Sequence, residues 1–166
     1  MSSTRLLPPA LSGEQASACY RLELDPQPEL VAAARAFVVG HAPPMPEENL
    51  DALVLLTSEL VTNGILHAGT PLEVGLTVLA ESVVVTVHDL DLRRPEQLPY
   101  SGREGGWGLG LVAALALRSS LDPHPNGGKT AWFELATGAL PHIGDETASR
   151  RADHTTDSHM TDSEHA

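Results

Sequence analysis

The chain has 166 residues, a formal net charge of −12, 42% hydrophobic and only 4% aromatic residues, which suits one globular domain with a core of Leu, Val and Ala. So acidic a chain lacks the basic face needed to neutralise nucleic-acid phosphates, which argues against direct nucleic-acid binding. Its one cysteine, Cys19, excludes a disulfide framework and a Cys-based metal cluster, and with no apolar run of signal-peptide or membrane-spanning length the expectation is a soluble cytoplasmic protein, away from membranes.

Residues 1–18 carry Ser, Pro and Gly without a sustained period and read as a flexible leader. Residues 20–24 alternate apolar and charged side chains, as a half-buried strand does, until Asp25-Pro-Gln-Pro28 stops them. Leu30, Ala33, Ala34, Phe37 and Val38 then repeat at helical spacing up to Gly40. After Pro43, Pro44 and Pro46 a long helix is expected from Glu47 to His67, closed by Gly69. Two strands follow, 72–79 and 83–89, at hairpin spacing; the second is β-branched over Val83–Val87 and so interior to a sheet. A loop over 90–104 leads to Gly105-Gly-Trp-Gly-Leu-Gly110, which opens a helical stretch over 111–117. Residues 119–124 and 129–135 read as a final hairpin with a turn at Asn126-Gly127. The domain is therefore expected over 19–137, and 138–166, rich in Asp, Glu, Ser, Thr and His, as a disordered acidic tail.

The long helix carries unusual chemistry. At 100° per residue, with Glu59 at zero, Asn63 falls at about 40° and His67 at about 80°, interleaved with Leu53, Leu56 and Leu60, while Val54, Val61 and Ile65 form a second apolar patch. This spacing predicts three polar groups on the core-facing stripe, where burial without partners costs several kcal/mol, on the order of the transfer penalty of a polar group. In one reading Glu59 and Asn63 satisfy backbone groups and His67 closes the helix C-terminus. In the other they form a metal-nucleotide site, with the neutral Asn63 carbonyl oxygen on Mg²⁺ and Glu59, one turn earlier, as a base facing the same space.

Other motifs are weaker alone. The glycines before residue 111 could present backbone N–H groups to a phosphate at a helix N-terminus, but they follow a loop and not a strand, which removes a dinucleotide-binding βαβ reading. Gly128-Lys-Thr130 resembles the end of a P-loop, yet Pro123 stands where the first glycine belongs and a strand follows. Asp89 at a strand end is most simply a turn-starting carboxylate.

Taken in order, Ser58-Glu-Leu-Val-Thr-Asn63 with His67-Ala68, Val85-Thr-Val-His-Asp89, Gly105-Gly-Trp-Gly-Leu109 with Val112, and Gly127-Gly-Lys-Thr-Ala-Trp-Phe-Glu-Leu135 resemble the GHKL superfamily of histidine-kinase-like ATPases, most closely its anti-sigma-factor serine/threonine kinase branch. The resemblance spans about residues 20–136 and implies an α/β two-layer sandwich of the Bergerat type, a mixed, mostly antiparallel sheet covered on one face by helices. It implies ATP and Mg²⁺ as cofactors, with Asn63 as the Mg²⁺ ligand, Glu59 as catalytic base, Asp89 accepting from the adenine amino group, Gly106 and Gly108 facing the phosphates, and Thr130 near the adenine. It also implies an anti-sigma antagonist protein as phosphorylation substrate, a sigma factor as sequestered partner, or both, and allows a homodimer. A non-catalytic protein-binding module, with ATP structural or absent, is the alternative. The superfamily's Asp-x-Gly-x-Gly departs here: Asp91 and Arg93 occupy the glycine places.

Overall fold

The computed structural model describes residues 8–92, 112, 114–124 and 127–138. Its elements are β1 (Ala18–Leu24), α1 (Val31–His41), α2 (Glu47–Ala68), β2 (Leu72–Val78), β3 (Ser82–Asp89), β4 (Arg118–Pro123) and β5 (Lys129–Ala136). The strands form one sheet in the order β1-β2-β3-β5-β4, and every described pairing is antiparallel. The helices lie on one face, giving the expected two-layer sandwich. No helix among the described residues is long and apolar enough to cross a membrane.

Local sequence explains each boundary. Pro28 opens a single 3₁₀ turn, Pro28–Leu30, that leads into α1. Gly40, expected to end α1, lies inside it; the helix stops one residue later at His41, whose Nδ1–H donates to the Phe37 carbonyl (2.8 Å) before the prolines. Glu47 and Glu48 place negative charge at the N-terminus of α2, and Gly69 closes it in the left-handed region at φ 63°, as its position predicts. Asn49, fully buried in the first turn of α2, donates through Nδ2 to the Ala136 carbonyl (2.8 Å) and to that of Gly138, tying the helix start to the end of β5. Of the helix expected over 111–117, the described residues Val112, Ala114 and Leu115 are helical, and Val112 enters the core.

The period of two along the strands divides the sheet's faces. Val74, Leu76, Val83, Val85, Val87, Phe133 and Leu135 face the helices and pack with Leu53, Leu56, Leu60, Val61 and Ile65 of α2 and with Ala34 and Val38 of α1. Each large aliphatic side chain buried here contributes about 1.5–3 kcal/mol. Helix and sheet meet closely at Gly64, where a Cβ would stand 3.1 Å from both Leu72 Cδ atoms and 3.6 Å from Val87 Cγ1.

The opposite face is not bare. Part of the segment expected to be a flexible leader packs on it: a 3₁₀ turn over Pro9–Leu11 lays Leu11, 1% exposed, against Leu79, Val84 and Trp132. The Ser17 N–H then donates to the Val78 carbonyl (2.8 Å), extending the β1–β2 ladder toward the turn. Around the far side of β5, Trp132 Nε1–H donates to Asp122 Oδ2 of β4 (2.7 Å).

Candidate functional site

The structure revises the helical stripe. The side of α2 turned to the core carries Ala52, Leu53, Leu56, Thr57, Leu60, Val61 and Ile65, so Val61 and Ile65, assigned by spacing to a separate patch, belong to the core itself. The stripe is thereby rotated away from Glu59. Glu59 and Asn63 sit on its flank, half-buried, and His67 is exposed in the last turn. Burial therefore demands no buried partner for these groups, and neither Glu59 nor Asn63 bonds another described residue. Both are left as open, half-shielded oxygen donors. Because Asn63 directly precedes Gly64, which rests on Leu72 and Val87, the turn carrying it lies over the end of β3 that carries Asp89.

At that end the chain builds a buried ionic cluster. Asp89 is 5% and Lys129 4% exposed, and they are direct partners across β3 and β5. Lys129 Nζ donates to Asp89 Oδ1 (3.1 Å) and to Asp91 Oδ2 (2.8 Å), while the Asp91 N–H donates to Asp89 Oδ1 (2.9 Å). The turn holding both carboxylates is clasped from outside. Gly128, at φ 81°, packs so tightly beneath it that a Cβ would collide with the Asp89 carbonyl and stand 2.9 Å from Leu90 Cα, and the Leu90 N–H is held by Thr70 Oγ1 (3.0 Å). Asp91, which replaces a family glycine, thus has a structural function: it supplies the second carboxylate around a buried ammonium, which must be paired to be tolerated there.

Thr130 is not part of this cluster. Lys129 shares a face with Ala131, Phe133 and Leu135, toward the helices, whereas Thr130 shares the opposite face with Trp132. Thr130 pairs with His88, its hydroxyl 3.4 Å from Nδ1, and His88 Nδ1–H donates to the Lys129 carbonyl (3.0 Å). The adenine-side position assigned to Thr130 by motif is held by Lys129. That residue was readable from the strand's alternation, but Trp132 made both faces of β5 look apolar. Gly106, Gly108 and Arg93 lie outside the described residues.

A second buried carboxylate, Glu134 (4% exposed), lies on the face opposite the helices. Burial pushes its carboxyl up, but hydrogen bonds from Arg118 Nε and Ser82 Oγ (2.6 Å), with the guanidinium charge, more than offset this and hold it below the ordinary value. Arg118 also reaches Glu14 at 3.2 Å, so the N-terminal segment is tied to β4 as well.

The profile of the histidine kinase-like ATPase domain matches residues 24–133. Among solved structures the chain is similar to the histidine kinase domain of a blue-light activated histidine kinase from Erythrobacter litoralis, with 22% identity over 66% of this chain and a TM-score of 0.45. The chain spans 59% of that domain's length. Comparison with curated proteins gives no significant match.

Proposed function

Because the chain belongs to the histidine kinase-like ATPase family, whose domain covers residues 24–133, we propose that it is an ATP-binding regulatory protein of the anti-sigma-factor type. It phosphorylates a serine or threonine of an anti-sigma antagonist protein, sequesters a sigma factor, or does both. The observation that carries this reading is the placement of the Glu59–Asn63 turn of α2 over the buried Asp89 at the end of β3.

The residues present fit such a ligand. Asn63 Oδ1 is a neutral hard oxygen that can hold Mg²⁺ without repelling phosphates, and Mg²⁺ takes most of its ligands from phosphate oxygens and water. This agrees with the absence, among the described residues, of any group of three or more His, Cys, Asp or Glu able to hold a metal alone. Asp89 sits where a carboxylate can accept from an exocyclic amino group, its position fixed by Gly128 and Lys129. When bound, ATP with Mg²⁺ supplies a charge-neutralised transferable phosphoryl group. Glu59, half-buried one turn before Asn63, takes the proton from the substrate hydroxyl.

Calorimetry of ATP with and without Mg²⁺ tests the site. Asn63→Asp and Asn63→Ala should both lose Mg²⁺-dependent binding, and without metal the Asp variant should bind ATP worse, because its charge faces the phosphates. Normal metal dependence in both variants sinks the assignment. Glu59→Ala should abolish phosphorylation of an antagonist while leaving partner binding intact; transfer at wild-type rate would favour a binding module in which ATP is structural.

A further inference from the structure

Resting on the reading that this site binds ATP, we propose that Lys129 determines base specificity: its ammonium donates to the N1 acceptor of adenine while Asp89 accepts from the neighbouring 6-amino group.

The argument is a count of hydrogen-bonding capacity. A lysine ammonium carries three donors and no acceptor, and an ionised carboxylate accepts on both oxygens. Two of the three Lys129 donors are committed, to Asp89 Oδ1 at 3.1 Å and Asp91 Oδ2 at 2.8 Å. Asp89 Oδ1 is loaded twice, by Lys129 and by the Asp91 N–H at 2.9 Å. What remains for a ligand is the third ammonium proton beside the second Asp89 oxygen, a donor next to an acceptor. The edge of adenine presents the complement, an acceptor at N1 beside a donor at the 6-amino group. Guanine presents the reverse, with O6 where the carboxylate expects a donor and N1–H where the ammonium expects an acceptor. The cluster cannot readily turn to suit it, since Gly128 packs directly beneath the Asp89 backbone and Thr70 holds the Leu90 N–H. Both groups are about 95% buried and face the helix layer, so their hydrogen bonds to a ligand are made in a desolvated, charge-assisted setting where a mismatch leaves a buried group unpaired.

The test uses the full chain and three probes, ATP, 1-deaza-ATP and GTP, titrated calorimetrically into wild type and into Lys129→Met. Wild type should bind ATP about tenfold to a hundredfold more tightly than 1-deaza-ATP, whose C–H at position 1 cannot accept, the loss expected for one charge-assisted hydrogen bond, and should discriminate against GTP at least as strongly. Lys129→Met should bind ATP and 1-deaza-ATP equally, because the donor is already gone. A merely structural lysine would weaken both ligands in parallel and leave the ratio at its wild-type value. Equal binding of ATP and 1-deaza-ATP by wild type overturns the proposal while leaving the ATP reading standing. Absence of ATP binding by wild type overturns both. Should Lys129→Met not fold, the wild-type ratio decides, and Asp91→Asn, which keeps the Lys129–Asp89 contact, should retain the discrimination.

Discussion

Consecutive residues on a strand point to opposite faces, so Lys129 and Thr130 cannot both serve one ligand on the helix side. Thr130→Val removes the hydroxyl beside His88 and keeps the shape of the side chain. It should leave ATP affinity within about twofold of wild type in calorimetry, because the β-branched replacement preserves packing and no hydrogen bond toward the helix layer is lost. A tenfold loss would return Thr130 to the site. At this scale the sequence was partly legible. Asp89 could be located at a strand end because the β-branched run before it is unambiguous, and Asn63 and Glu59 stand out on any helical projection. Lys129 was hidden because its role comes from register across two strands far apart in sequence, and because Asp91 looked like a damaged glycine motif when it is half of an ionic clasp.

Secondary-structure elements were legible wherever a local signal ended them. Gly69 closes α2 and Asp25-Pro26 ends β1, as their conformational preferences require. The rotation of α2 about its axis was not legible, since a helix with Leu, Val and Ile over most of its circumference does not say which arc meets the sheet. Glu134 shows how an element can depend on pH. Its carboxyl is held below its ordinary value of 4.5 by Arg118 and Ser82, so the stabilisation it gives to the β3–β5–β4 array is present in full above about pH 5 and is lost as pH falls through the depressed folded-state value. Glu134→Gln should therefore lower the thermal midpoint at pH 7, and the gap to wild type should narrow steadily below about pH 4. Melts of both proteins across that range decide it. A gap independent of pH would mean that Glu134 acts through packing and not through its charge.

For the molecule as a whole, the unexpected feature is that the sheet has a second, smaller apolar layer. One 3₁₀ turn carries no periodicity to read, so the packing of Leu11 is invisible in the sequence, although Val84 and Trp132, which point away from the helices, hinted that something covers that face. Leu11→Ala should cost about 2–4 kcal/mol, the usual penalty for truncating a fully buried leucine, measured by urea denaturation. A loss below about 0.5 kcal/mol would show that the turn adds nothing to the fold.

The strand order bears on how the protein breathes. Amide exchange in a sheet proceeds by partial openings that begin at its margins, where a strand has one neighbour and little burial, and reach the middle only when most of the structure is lost. Here β1 and β4 are the margins, while β3 and β5 each have neighbours on both sides. Asp89 ends β3 and Lys129 begins β5, so the ionic clasp spans the two strands that let go last. Fraying at either margin can proceed while the pair stays assembled, and a nucleotide held there would add its binding energy to the slowest-exchanging amides of the domain.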